Sequence, residues 1–327
     1  IVRLQKWVLI GSICIQLTGA MILFLRFLPE FGLKTAAIWG VFHSISAFCN
    51  AGFDIFGCIA PGQSVITFNH DPVIMLTLSA LVILSSLGFF VWEDVATKRS
   101  WKKLSVYTKL VLTVSAILWI GGALIVAIPE WNNPATLGMM HPGEKVMASL
   151  FQSVTFRTAG FNTISLGDMH TLPKLASVLI MFVGGASGST AGGVKVGTVG
   201  ILVYAAVLHA CGRKHITVFR RTVPSEDVIR AFTVVTVQFL VTVIGALFLI
   251  GDGMELMAAL FETFSASATV GLSLGLTPTL SLASKIVVMI LMFFGRVGIL
   301  TIATLLSDKE VREKNQMQYA DTHLMIG

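Results

Sequence analysis

Three short segments share a pattern suited to holding a cation: "FHSISAFCNAGFD" (Phe42 to Asp54), "FQSVTFRTAGFNT" (Phe151 to Thr163) and "FETFSASATVGLS" (Phe261 to Ser273). Each opens on an aromatic residue, continues through an amphipathic stretch too short to span a membrane, and reaches small residues around one glycine. Gly52, Gly160 and Gly271 recur about 110 residues apart. Glycine's contribution is conformational: it reaches positive φ without penalty, so successive carbonyl oxygens can turn to one side and replace the water around an ion. A half-helix ending at that point adds its negative dipole end. A single copy also fits a re-entrant or interfacial loop that holds no ion; three copies in register favour the ion path.

Two further features carry chemistry. "GGASGSTAGG" (Gly184 to Gly193) lies inside a run that otherwise reads as a spanning helix. Its glycines and hydroxyls interrupt a helical hydrogen-bond ladder where lipid offers no replacement partner, so the segment must be buried in protein or line a water path. A passive kink is the simpler alternative. Gly185-Ala186-Ser187-Gly188 also fits the G-x-S-G pattern of rhomboid-type intramembrane serine proteases. Ser187 would need a base, and His43, His70, His141 and His170 belong to the outer half or outer loops, while His209 and His215 lie at the inner end of the same repeat. Arg296 sits within the apolar run "MFFGRVGI", where a charge is costly and faces protein or a water cavity, or else pairs in a structural salt bridge. Arg157 precedes the second glycine segment and is placed to brace it or to pack behind it. Lys195 is placed to snorkel or to bind loop carbonyls. His43 and Glu262 read as ordinary polar residues of the short helices.

The elements that position these residues are membrane spans. With 55% apolar and 12% charged residues and a mean hydropathy of +0.84, the chain lacks the polar surface for a water-soluble fold of its length. Six runs have the roughly twenty-residue length that crosses a hydrocarbon core: Trp7 to Leu28, Val73 to Trp92, Leu110 to Ile128, Leu175 to Val183 continuing through Val199 to Leu208, Ala231 to Ile250, and Ile286 to Leu306. Arg3, Lys6, Lys98, Arg99, Lys102, Lys103, Arg213, Lys214, Arg220, Arg221, Lys309, Arg312 and Lys314 collect on one side, which the positive-inside rule makes cytoplasmic; both termini are expected there. Asp71, Glu130, Asp168, Asp252 and Glu255 fall on the other side. The net charge of +6 needs no nucleic acid, because basic loops beside anionic lipid give the same balance. Cys14, Cys49, Cys58 and Cys211 show no metal spacing and read as free thiols, with Cys49 expected as a small buried residue. No nucleotide fingerprint is present, so no cofactor is expected in this chain.

Together, "SAFCNAGF", "TFRTAGFN", "SATVGLSLGLTP", "GGASGSTAGGVKVGT" and "FFGRVGILT" resemble the Trk/Ktr/HKT superfamily of cation transporters, and within it the KtrB-type potassium-translocating subunits. The resemblance implies an all-α integral membrane protein of helix, pore loop, helix repeats, four of which make a potassium-channel-like pseudo-fourfold pore. Three are visible: 1–100, 101–222 and 223–307, corresponding to the family's second, third and fourth, followed by a cytoplasmic tail at 308–327. About a hundred or more further residues, with one more filter segment, are expected before Ile1; a non-conducting fragment is the alternative. The implied filter is Asn50, Ala51 and Gly52; Thr158, Ala159 and Gly160; and Thr269, Val270 and Gly271, with potassium as substrate at backbone carbonyls. Cys49 stands where family members usually carry Asn. Glycine in all three segments resembles the potassium-selective members, whereas sodium-selecting plant members carry Ser in the first repeat. The implied gate is an intramembrane loop at 184–193, including Gly184, Gly185, Ser187, Gly188, Ser189, Gly192 and Gly193, with Lys195 just beyond it and Arg296 beside it as an electrostatic barrier. The resemblance further implies a plasma-membrane transporter rather than an enzyme, a homodimer, and a peripheral ring of cytoplasmic nucleotide-binding regulatory subunits.

Overall fold

A computed structural model describes residues 2–213, 216–219 and 221–298. Its first unit starts with α1 (Val2–Phe48), which Gly32, at φ 73° and ψ 168°, breaks into a long limb and a short one. Pro29 just before the break removes a further ladder donor, so the turn has a local cause. The unit closes with α2 (Pro72–Leu87) and α3 (Phe89–Lys98). Asp71 starts α2 by accepting from the amides of Val73 and Ile74 at 2.9 and 3.2 Å, with Pro72 at the first helical position.

The second unit holds α4 (Val106–Glu130), α5 (Pro142–Thr155), α6 (Thr171–Phe182) and α7 (Val196–Ala210). A small hairpin, β1 (Thr217–Val218) and β2 (Arg221–Thr222), leads to the third: α8 (Ser225–Gly251), α9 (Leu256–Ser267) and α10 (Leu282–Val297). Each unit is therefore a long helix, a short helix, an extended segment and a returning helix. The short limb of α1, α5 and α9 are the three half-helices, and all three end just before a glycine segment.

Burial is inverted relative to a soluble protein. Leu17, Leu25, Ile120, Leu124, Ile244 and Leu247 on the long helices are exposed, while Ser44, Ser149, Gln152, Ser153, Thr263 and Ser267 on the half-helices are buried. In water each exposed Leu or Ile would forgo roughly 1.5–3 kcal/mol of burial. Facing hydrocarbon they forgo nothing, and the hydroxyls turn inward to partners. An aromatic cluster locks the first unit: Phe27 meets Trp39 edge to face at 5.6 Å across the Gly32 break, and His43 stacks on Phe56 at 4.0 Å. His43 also bonds the Trp39 carbonyl through Nδ1 at 2.7 Å and accepts from the Ile55 amide at 3.3 Å, so both nitrogens are used to hold the chain leaving the first glycine segment.

One expected span differs from the sequence reading, and the expected interruption of another is observed. The run Val73 to Trp92 is not one straight helix: α2 stops at Leu87, and α3 leaves at 91°. Gly88 makes the corner at φ 84° and ψ 150°, and the Trp92 indole donates to the Leu84 carbonyl at 2.8 Å, satisfying an acceptor orphaned by the helix end. The run from Leu175 to Leu208 is divided between α6 and α7, with residues 183–195 between them. Lys98, Lys102, Lys103 and Lys109, from the end of α3 to the first turn of α4, and Arg221 of β2 line one cavity of about 450 Å³, so these basic residues share a face. The expected span beyond residue 298, the tail 308–327 with Lys309, Arg312 and Lys314, and Lys214, His215, Arg220 and the Arg3 side chain lie outside the described residues.

Candidate ion path and intramembrane loop

At the end of each half-helix the chain makes the same manoeuvre. The middle residue of the segment donates its amide back to the helix: Ala51 to Ser46 O at 2.9 Å, Ala159 to Thr155 O at 3.1 Å, and Val270 to Ser265 O at 2.8 Å. These bonds satisfy carbonyls that a helix end would otherwise leave orphaned. The residues on either side are left-handed: Asn50, Thr158 and Thr269 at φ 51°, 70° and 55°, and Gly52, Gly160 and Gly271 at φ 70°, 87° and 87°. Positive φ at a glycine is free. At a β-branched threonine it is a genuine outlier, and its recurrence at equivalent positions marks strain held by the surrounding fold.

The three segments converge. A Cβ placed on Gly52 would lie 2.6 Å from the Ala159 oxygen and 2.7 Å from the Gly160 Cα; one on Gly160 would lie 2.6 Å from the Val270 oxygen. Backbone from positions about 110 residues apart is thus in direct contact around one axis, and only glycine admits that approach. None of the nine carbonyl oxygens of residues 50–52, 158–160 and 269–271 accepts a backbone hydrogen bond among the described residues. Asn50, Thr158, Ala159 and Val270 are buried, and a buried carbonyl without a donor costs free energy. A desolvated cation is a partner that would remove the cost.

Side chains behind the segments fix them. The Ser46 hydroxyl donates to the Phe53 carbonyl at 2.7 Å, Ser85 to Asn50 Oδ1 at 3.1 Å, and Gln152 Oε1 accepts from the amide and hydroxyl of Thr163 at 3.2 and 2.9 Å. In the third unit Gln238 of α8 donates to the Ser267 carbonyl at 3.2 Å, and Thr242 and Ser267 share a hydroxyl bond at 2.6 Å. The remaining side of the axis opens on a cavity of about 600 Å³, bounded by Cys49, Asn50, Glu262, Thr269, Gly271 and Arg296. Cys49 is exposed and not buried as expected, because it faces that cavity. Glu262 also belongs to it, accepting from the Thr277 hydroxyl at 2.5 Å.

Residues 184–193 form a loop whose neck is closed by its own backbone. The Gly184 amide donates to Val194 O at 2.9 Å, and a Cβ on Gly184 would lie 1.8 Å from Gly192 O. One limb leans on the corner between α2 and α3: the Ala186 amide donates to Ser86 O at 2.9 Å, the Phe89 amide to Gly188 O at 3.0 Å, and a Cβ on Gly88 would meet Ser187 O at 2.9 Å. Ser187 is held by its amide to the Tyr107 hydroxyl at 2.9 Å, and no hydrogen bond joins it to a histidine among the described residues. The other limb lies against the third filter segment, since a Cβ on Gly192 would sit 1.9 Å from Thr269 Oγ1.

At the tip, Thr190 reaches both ways. Its hydroxyl donates to Phe48 O at 3.1 Å, and its carbonyl accepts from Arg296 Nη1 at 2.7 Å. Lys195 Nζ donates to Ala191 O at 2.7 Å, and Arg157 Nη2 to Gly184 O at 2.7 Å. The loop therefore touches all three units next to the converging segments. Thr190, Gly88, Tyr107 and Gln238 escaped the sequence reading. Thr190 lies within the quoted loop and Gly88 within an apolar run, so each carried a local signal; Tyr107 and Gln238 carried none.

Comparison with known proteins bears on the family and the fold. The family model described as TrkH, cation transport protein, matches residues 5–316. Ktr system potassium uptake protein B of Bacillus subtilis is 35% identical over 328 residues, covering 100% of this chain and 72% of that protein. Potassium/sodium uptake protein NtpJ of Enterococcus hirae is 36% identical over 336 residues, with the same coverage of 100% and 72%. The crystal structure of the potassium transporter TrkH from Vibrio parahaemolyticus superposes with a TM-score of 0.73 at 21% identity, over 92% of this chain and 64% of that one.

Proposed function

This chain belongs to the TrkH family of cation transport proteins, membrane transporters and not enzymes, and from that premise we propose that it lines a potassium-selective pore with a carbonyl filter and a movable intramembrane gate. The observation that carries the proposal is the contact of Gly52, Gly160 and their neighbours' carbonyl oxygens, with the Thr190 tip of the loop bonded to Phe48 at the end of the first half-helix. Potassium enters from the acidic side, exchanges water for the carbonyls of Asn50 to Gly52, Thr158 to Gly160 and Thr269 to Gly271, and meets the loop. The negative ends of the three half-helices favour a cation there. Because those carbonyls are held rigidly by back-bonded amides and flanking hydroxyls, the cage suits one ion size better than another.

In the closed state the loop obstructs the path and Arg296 holds its tip. A cation leaving the filter then meets both backbone and a fixed positive charge, and repulsion in a low-dielectric path is far stronger than in water. Opening requires the Thr190 contacts to break. We assign the units as 1–100, 101–222 and 223–307, place a fourth filter segment of the same kind in the cavity beside Cys49 and Gly271, and put the basic face, both termini and the tail 308–327 in the cytoplasm. There a nucleotide-binding regulatory ring would meet a homodimeric pore in the plasma membrane. The relatives' names divide between potassium and potassium/sodium, so selectivity is the property to measure. Tracer rubidium and sodium influx into liposomes holding the purified protein, expressed from its own gene, is expected to favour rubidium by at least about tenfold. Equal influx of the two ions refutes the potassium filter; influx of neither, in the parent and in Arg296→Ala alike, refutes the pore.

A further inference from the structure

We propose that Arg157 is a positioning residue that ties the second filter segment to the neck of the intramembrane loop, so that filter shape and gate position are set together. The proposal rests on the gate reading above and adds to it a fixed point about which the loop moves.

Arg157 is fully buried, between Phe156 and Thr158. Its Nη2 donates to the Gly184 carbonyl at 2.7 Å, and its guanidinium lies over the Trp119 ring at 5.1 Å. No carboxylate pairs with it among the described residues, and its Nε and Nη1 make no hydrogen bond with them. A charge buried on these terms is expensive, several kcal/mol by general experience, and Leu or Met would fill the same volume at no such cost. What an apolar residue lacks is the N–H donor that holds the Gly184 carbonyl.

Gly184 is the neck itself. Its amide closes on Val194 and its Cα face is pressed against Gly192 O, so both limbs of the loop are joined there. Holding the Gly184 carbonyl fixes the base of both limbs to the residue next to Thr158. Thr158 in turn is strained at φ 70°, and a rigid neighbour on the side of Arg157 helps to keep it so. The two arginines act at opposite ends of the loop. Arg157 pins the neck from within the filter strand, and Arg296 holds the tip from α10 through a single carbonyl on the exposed side. A loop anchored at one end and latched at the other swings by release of the latch.

The test uses the protein expressed from its own gene, purified and reconstituted at equal amounts, with two readouts: resting rubidium leak and the rubidium-to-sodium flux ratio. Arg157→Met, which keeps volume and removes the grip, is expected to raise the leak by about tenfold, the scale of a lost charge-assisted hydrogen bond, and to lower the ratio at the same time. Arg296→Ala releases the tip alone and is expected to raise the leak with the ratio unchanged. A purely structural Arg157 would change yield while leaving leak and ratio per transporter at parental values. That result, or a change in only one of the two readouts, overturns the coupling. An unchanged leak in Arg296→Ala refutes the gate reading separately, whatever Arg157→Met does. Should Arg157→Met fail to reach the membrane, Arg157→Lys keeps the charge on a stem that ends one bond short of the Nη2 position bonded to Gly184. A raised leak with a lowered ratio in that variant supports the coupling, and parental values of either one overturn it.

Discussion

Replacing Gly160 with alanine should damage ion discrimination more than it damages folding. Gly160 stands at φ 87°, and an added Cβ would lie 2.6 Å from the Val270 oxygen and 3.1 Å from the Gly52 Cα. The left-handed conformation costs an L-residue roughly 1–2 kcal/mol. Reaching ordinary contact with the Val270 oxygen requires a displacement of about 0.8 Å, and the obstacle is backbone, with no side chain to swing away. That shift exceeds the difference in radius between potassium and sodium ions, and it acts on an oxygen of the neighbouring segment as well as on Gly160. Even 1.4 kcal/mol lost differentially for potassium is tenfold in preference. The assay is paired rubidium and sodium tracer uptake in potassium-uptake-deficient cells, with surface expression matched by labelling. A fall in the ratio of about tenfold or more is expected. An unchanged ratio at matched expression would show that Gly160 does not border the ion, and the filter assignment would fail. Gly271→Ala reports on the adjoining cavity, because a Cβ there meets only the Gly160 Cα at 3.9 Å among the described residues. An effect as large as at Gly160 is expected if a fourth segment lies against it; an effect limited to strain leaves that cavity open.

Three further expectations follow from other contacts. Thr190→Ala removes the hydroxyl bond to Phe48 O and should raise resting rubidium flux a few-fold; combined with Arg296→Ala the effects should fall short of additive, since both act on one tip, and full additivity of the logarithms would separate them. Gly88→Ala forces a side chain into positive φ and against Ser187 O, so a thermal melt of the detergent-solubilised protein should drop by several degrees, whereas an unchanged melt would show that the corner does not seat the loop. Asp252, beyond the end of α8, is held below its ordinary pKa by hydrogen bonds from Ser281 and Ser284. Its stabilising contribution is therefore present above about pH 4 and lost as the pH falls through the lowered value. Parent and Asp252→Ala should differ in melting temperature at neutral pH and converge in acid; a constant difference would refute the assignment.

Much of the architecture was legible because its signals are local and additive. An apolar run of spanning length reads the same whatever lies next to it, which is why α4 and α8 fall where Leu110 to Ile128 and Ala231 to Ile250 were expected. The glycines at 52, 160 and 271 were legible because a position that needs positive φ admits few other residues, and three copies expose the rule. Composition failed at Gly88, since apolar residues continue through the corner and lipid-facing composition does not report direction. Thr158 and Thr269 were placed in the filter by their position in the motif, but nothing in a β-branched residue foretells a left-handed backbone.

The sequence by itself therefore determined a membrane solvent, repeated units, their glycine turns and the interrupted helix, each of which follows from the chemistry of a residue and its near neighbours. Only the tertiary structure decided that three turns meet at one axis, that Thr190 bridges Phe48 and Arg296, that Gly88 makes room for Ser187, and that Arg157 grips Gly184. The last three join residues remote in the chain through single carbonyl contacts, which leave no periodicity and no composition behind. Such a contact exists only once the units have packed, because the partner of a buried polar group is whatever the fold brings within three ångströms of it.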